Sequence, residues 1–345
     1  MRPAWPVLFA ALLALASCGG PDLRAPFTDS RIPPGLRSRF YPPQGWAWGL
    51  IKIGDAPAAR YGVSAPPHQP RADVVILTAY GEPAEEWFET ASDLNDRGYV
   101  VWVLEPAGQG GSGRYRLPRD LGYATGVRPD AEAARALAAR FVRRRPLILL
   151  ASRTGAPAAL KALRTGLVAD GAILSAPTLE FDTAAQGHAT LMRRLRLGWL
   201  PIDGAAGWRR DGPDDRALGL THDAERGRLR LAWQTANPDL RMGGPSWTWT
   251  AMYDRAANVA ATAPADRVAA PVLILQPSRQ SGAASALCRR LKACTLQPFG
   301  PAGESLHLEV DEVRRAWLTA VVAFIEADIA RFSPPPAGAR LAPEG

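Results

Sequence analysis

The sequence predicts an α/β fold: a doubly wound, mostly parallel sheet with a helical cap inserted into it. Three observations predict it. Short, continuously apolar runs alternate with amphipathic stretches of helical period from residue 74 to residue 329. The apolar runs lack the in–out alternation of a half-exposed sheet, as expected of strands covered on both faces. Between residues 179 and 250 the alternation stops and Trp, Arg, Asp and Pro cluster, which marks an insertion between two halves of the sheet.

Residues 74–77 form the first apolar run and read as a buried strand. Residues 85–97 place Trp87, Phe88, Ala91 and Leu94 on one helical face, and Gly98 stops that helix. Tyr99–Leu104 is a second strand, 130–143 a second helix, 146–151 a third strand, 155–163 a third helix and Gly171–Ser175 a fourth strand. Beyond the insertion, 271–276, 283–292, Cys294–Pro298 and 312–329 read as strand, helix, strand and helix. No internal repeat is present.

The 345 residues suffice for one large domain or two ordinary ones, and 47% hydrophobic with 21% charged residues is the composition of a globular chain. Three cysteines cannot build a zinc ribbon or an iron–sulfur set. The formal charge of +8 suits an anionic neighbour such as a membrane surface or a wall polymer. Nucleic acid is not expected, since no basic helix or basic–aromatic strand pair could read it.

The N-terminus sets the expected compartment. Arg2 precedes an apolar run from Ala4 to Leu15, which fits a signal-peptide core and is too short for a spanning helix. Leu15-Ala16-Ser17-Cys18, followed by Gly19-Gly20, resembles a bacterial lipobox, in which the cysteine is lipidated. An ordinary secretory signal with a chance cysteine is the alternative, but Cys18 stands where the apolar run ends. The expected organisation is a signal peptide over 1–17, a Pro/Arg/Gly-rich tether over 18–45, one domain over 46–332 with the cap at about 179–250, and a disordered Pro/Gly-rich tail over 333–345. The expected location is the cell envelope, lipid-anchored and facing the periplasm. By what the lipobox resemblance implies, Gly19 rather than Asp after the cysteine favours the outer membrane.

Several motifs then carry a resemblance. Thr78-Ala79-Tyr80-Gly81-Glu82 with Trp87-Phe88-Glu89, Glu105-Pro106-Ala107-Gly108-Gln109-Gly110-Gly111-Ser112, the stretch from Leu220 to Arg226, the stretch from Gly243 to Trp249 and the run 271–276 are similar to the α/β-hydrolase family of lysophospholipases, monoacylglycerol lipases and serine aminopeptidases. The resemblance covers about Ala59 to Phe332. It implies a nucleophile in G-x-S-x-G on a strained turn after the fifth strand, an acid after the next-to-last strand and a histidine after the last.

The groups for that chemistry are missing. Ala151 and Gly155, the small residues of the turn, bracket Arg153, whose guanidinium stays protonated and cannot attack. Making Ser152 the nucleophile puts Leu150 and Thr154 at the tight positions. The acid loop, Pro277-Ser278-Arg279-Gln280-Ser281-Gly282, has no carboxylate, so the acid position falls near Gln280. Gly300-Pro301-Ala302-Gly303-Glu304 puts Gly303 in the histidine position and keeps the following Glu304. The oxyanion donors of the family fall on Tyr80 and Thr154.

Other candidates were weighed in the same way. His307 reads as a relocated base, giving a fallback pair with Ser152, or as a surface or capping histidine. His222 reads as structural, and His68 and His188 have no evident partner. No His, Asp or Glu cluster has metal spacing, so no metal and no cofactor are expected. Gly108 opens a G-x-G-x-x-G match that starts no helix, which argues against a nucleotide site. Trp199, Trp208, Trp233, Trp247 and Trp249 read as cap core or as an apolar pocket for an acyl or aromatic ligand. Cys288 and Cys294 should pair in an oxidising periplasm, leaving Cys18 for lipid. Arg153 next to a helix N-terminus needs an answering anion. The carboxylate of Glu304 is the first candidate by family geometry, Glu82 and Glu105 are others, and a ligand carboxylate or phosphate is the external one. Two functions are therefore expected to compete. One is a pseudo-hydrolase that binds a lipid, a small anion or an envelope protein. The other is an active ester hydrolase on lysophospholipids or monoacylglycerols that uses Ser152 and His307.

Overall fold

β-branched and leucine-rich runs with no polar interruption must bury both faces, and here they form the centre of one sheet. The computed structural model describes residues 22–142, 145–180, 183–278 and 282–332. Its strands are β1 (Ala47–Ile51), β2 (Ala59–Ser64), β3 (Ala72–Leu77), β4 (Tyr99–Leu104), β5 (Leu147–Ser152), β6 (Gly171–Ser175), β7 (Val272–Gln276) and β8 (Cys294–Pro298). They lie in the order β1-β2-β4-β3-β5-β6-β7-β8. The pairs β1/β2 and β2/β4 are antiparallel and all others are parallel. Every residue of β3, β4, β5 and β6 is buried.

Successive residues of these strands feed two different cores, as the two-residue period of a strand requires. Val75, Leu77, Leu149 and Ala151 face a cluster completed by α2 (Arg128–Phe141), α3 (Ala156–Arg164), α6 (Trp247–Thr262) and α7 (Gly282–Arg290). Val74, Ile76, Ile148 and Leu150 face a second cluster, completed by α1 (Phe88–Asn95) and α8 (Asp311–Phe332). The remaining helices, α4 (Thr183–Arg194) and α5 (Leu229–Ala236), belong to the segment inserted between β6 and β7. Ser246 caps α6, its Oγ accepting the Trp249 N–H. That helix runs on to Thr262, past the residue where the cap was expected to end, and lays Trp249 and Tyr253 against the main core.

Two regions differ from the sequence reading. The two antiparallel strands β1 and β2 carry glycines and partly exposed positions, so neither shows an apolar run. The segment read as a tether has little regular structure beyond the short 3-10 turn Ser38–Phe40, yet it is docked from Leu23 onward, the Leu23 and Ala25 carbonyls accepting from Arg119. The Phe27 N–H bonds the Gly111 carbonyl at 2.7 Å, the Arg31 N–H bonds Asn237 Oδ1 at 2.6 Å, and Phe40 is buried with Phe88, Trp233 and Leu240. Cys288 and Cys294 form a disulfide with their Cα atoms 5.3 Å apart. The expected signal peptide, Cys18, Gln280 and the expected tail over 333–345 lie outside the described residues. Among the described residues no helix is long and apolar enough to cross a membrane.

Candidate functional site

The turn after β5 is the strained elbow that the small residues Ala151 and Gly155 announced. Arg153 has φ +39°, a left-handed conformation unusual for a residue with a side chain. A Cβ at Gly155 would stand 2.7 Å from the Leu77 carbonyl oxygen, so only glycine lets the turn close on β3. Arg153 thus sits at the tip of the turn, the position that the family resemblance gives to the nucleophile.

Its side chain is 11% exposed. Nη2 lies 3.7 Å from Glu82 Oε1, and Nε is buried without a hydrogen-bond partner. The carboxylate that answers Arg153 is therefore Glu82. The first candidate, Glu304, is half-buried and makes no ion pair with Arg153. The reason is local. Glu82 Oε2 accepts the Ala79 N–H at 2.7 Å, which folds the carboxylate back under the elbow. Glu105 is committed elsewhere. With Glu85 it holds the fully buried Arg60, whose Nε and Nη2 each donate to Glu105 at 2.7 Å and whose Nη1 and Nη2 donate to Glu85 at 3.0 and 2.8 Å. The glycine-rich loop after β4 wraps this group, the Gly111 N–H donating to Glu105 Oε2 at 2.9 Å. Those glycines serve a buried ion cluster that the sequence reading missed.

The oxyanion-equivalent residues contact each other. The Tyr80 N–H donates to Thr154 Oγ1 at 2.7 Å, and the Tyr80 hydroxyl donates to the Gly243 carbonyl at 2.9 Å.

Ser152 and His307 both reach Glu82. Ser152 Oγ donates to Glu82 Oε1 at 3.3 Å, and His307 Nε2 stands 3.3 Å from the same oxygen without hydrogen-bond alignment. No hydrogen bond joins the serine to the histidine. His307 is neither a surface nor a capping residue. It is 1% exposed and lies flat on Trp87 at 3.8 Å, with neither ring nitrogen hydrogen-bonded. Burial, and then the positive charges of Arg153, Arg314 and Arg226, hold its imidazole well below the usual range, so it is neutral. Burial raises the carboxyl of Glu82, and burial together with Asp215 and Glu82 pushes Glu86 well above its ordinary value.

Gly303, where the resemblance expects the histidine, has no space for a side chain. A Cβ at Gly303 would lie 2.3 Å from the Leu220 carbonyl oxygen, and the Gly303 N–H donates to the buried Glu309 at 2.6 Å. Glu309 also bonds His222 Nδ1 at 2.8 Å, which gives that exposed histidine its structural partner. No Asp or Glu occurs between Asp266 and Glu304, so the chain around Gln280 offers no acid.

The tryptophans do not form one cluster. Trp249 stacks on Tyr253 at 4.2 Å, Trp233 packs edge-on against Phe88 at 5.5 Å, and Trp199 is exposed. The cavity bordered by Thr154, Gly155 and Tyr253 holds only about 10 Å³. Among the described residues, Glu82, Glu86 and His307 form one buried group whose donor atoms lie within 4.8 Å of one another. Sequence spacing could not find it, because β3 and the segment after β8 bring its members together.

A model of the family described as serine aminopeptidase, S33, matches residues 68–290. Lysophospholipase L2 of Escherichia coli strain K12 is 28% identical over 218 residues, covering 60% of this chain and 63% of that protein. The chain therefore matches less than two thirds of the length of its curated relatives. A soluble variant of monoglyceride lipase from Saccharomyces cerevisiae superposes with a TM-score of 0.65 at 16% identity, over 84% of this chain and 97% of that one. Paleococcus ferrophilus monoacylglycerol lipase gives 0.60 at 17%, over 77% and 98%. At such identities these structures show a common fold. The elbow, the sheet order and a family match over more than half of the residues agree, and the chain belongs to the serine aminopeptidase S33 family of α/β-hydrolases.

Proposed function

We propose that this chain is a non-catalytic member of its family, which holds an anionic, lipid-like ligand at the cell envelope and is anchored there through Cys18. One observation carries the reading: a guanidinium stands at the elbow where the family needs a nucleophile, with its Nε buried and unpaired. Gly303 and the acid-free stretch around Gln280 support it. So do the names of two relatives, a lysophospholipase and a monoglyceride lipase. A guanidinium offers a carboxylate or phosphate a two-pronged hydrogen bond. The test is equilibrium binding of a lysophospholipid to the purified chain, followed by tryptophan fluorescence. Saturable binding, weakened roughly 10-fold or more in Arg153→Met, supports the proposal, since charge-assisted hydrogen bonds contribute about 1.5–3 kcal/mol. Absent binding, or binding indifferent to Arg153, overturns it.

The second reading is an active ester hydrolase on lysophospholipids or monoacylglycerols. It is favoured by the shared approach of Ser152 and His307 to Glu82 Oε1. Fluorophosphonate labelling of Ser152 would support it.

A further inference from the structure

Beneath the elbow, three buried side chains converge on one point. Glu82, Glu86 and His307 are each 2% exposed or less. Both nitrogens of His307 and Oε1 of Glu86 are buried with no hydrogen-bond partner, a costly state for polar groups unless something binds them. His307 Nε2 and Ser152 Oγ each stand 3.3 Å from Glu82 Oε1. A tetrahedral zinc ion with bonds of about 2.0–2.1 Å places its ligands about 3.3 Å apart. The charges also favour a cation. Glu82, Glu86 and Asp215 face Arg153 and Arg230, with Arg230 bound to Asp215 at 2.6 Å, while Arg226 and Arg314, which also act on His307, are tied to acids outside the group, Arg226 to Glu89 and Asp311 and Arg314 to Asp93. Two carboxyls therefore share Arg153. Trp87, stacked on the imidazole, fixes the ring plane.

We propose that Glu82, Glu86 and His307 bind a divalent transition-metal ion, zinc first, with Ser152 Oγ or a water as fourth ligand. A mixed imidazole and carboxylate donor set suits zinc better than calcium or magnesium. The ion would tie the loop after β3 to the segment after β8. The inference does not depend on whether the chain hydrolyses esters.

The site is sealed, so zinc must be supplied while the chain folds. The experiment grows the untagged full chain with zinc, or refolds it with zinc, dialyses away loose metal and measures metal by mass spectrometry. The expected result is about one zinc per chain, lost from His307→Gln and from Glu86→Gln and retained in His222→Gln. To keep the test independent of how the two ligand variants fold, cobalt is also introduced into the unaltered chain during refolding. The visible spectrum should show the intense bands of a four-coordinate cobalt ion. A zinc content near zero, zinc kept by both ligand variants, zinc lost from His222→Gln, or a six-coordinate cobalt spectrum each overturns the proposal.

Discussion

Thr154 Oγ1 accepts the Tyr80 N–H at 2.7 Å, so one side chain of the elbow engages an amide that the family pattern assigns to an oxyanion. Removing that acceptor leaves a part-buried amide unpaired, which costs about 1–3 kcal/mol. Thr154→Val should therefore lower the melting temperature by several degrees, while Thr154→Ser holds it. Thermal unfolding followed by circular dichroism checks this. Equal melting points for all three proteins would show that the bond contributes nothing.

Arg60 bridges two fully buried carboxylates, and its plane also lies over Trp48 at 4.0 Å. Breaking one partner of a buried charge cluster costs about 3–5 kcal/mol. Arg60→Met should be strongly destabilised in urea unfolding, and Glu85→Gln less so, because Glu105 still compensates the arginine. A loss below about 1 kcal/mol in Arg60→Met would contradict this.

Burial raises Asp130 to about 6 from its ordinary 3.8, although the Ala107 N–H and the Tyr253 hydroxyl both bond it. Between those two values the folded chain binds more protons than the unfolded one, so stability falls as pH rises from about 4 to about 6. At about 1.4 kcal/mol per unit, the loss is roughly 3 kcal/mol. Asp130→Asn keeps the Ala107 bond through Oδ1, can hold Tyr253 only by donating from Nδ2 to the hydroxyl oxygen, and cannot titrate, so it should flatten that part of the stability profile. Denaturant midpoints at pH 4, 5, 6 and 7 measure it, and an unchanged slope in the variant would refute the assignment.

Chain entropy gives the short Cys288–Cys294 loop about 2 kcal/mol of stabilisation. Replacing both cysteines by serine should cost about that much, and non-reducing peptide mapping of exported protein should find the two linked. The anchor proposal adds a third readout: Cys18→Ser should move the protein out of the membrane fraction. Membrane partition that survives the substitution would refute the anchor.

What the sequence made legible was local. Tyr99–Leu104, Gly171–Ser175 and Cys294–Pro298 were found residue for residue, since each is an apolar or β-prone run bounded by turn-forming residues. Arg153 could be placed because its two small neighbours belong to the same turn. β1 and β2 were missed because Gly49 and Gly62 interrupt them and their outer positions meet solvent. The partner of Arg153 was misassigned because Glu304 follows a family pattern whereas Glu82 is turned inward by one backbone amide. His307 was unreadable for a related reason. Its environment is Trp87 and Glu82, more than two hundred residues away in sequence.

The central claim is that Arg153 at the elbow leaves the chain without serine-hydrolase chemistry. The most direct measurement is fatty-acid release from a lysophospholipid, and nitrophenol release from a short-chain nitrophenyl ester, by the unaltered chain beside Ser152→Ala. The account predicts that neither protein exceeds the buffer rate. Turnover well above buffer in the unaltered chain, abolished in Ser152→Ala, would contradict it and establish the Ser152 and His307 reading in its place.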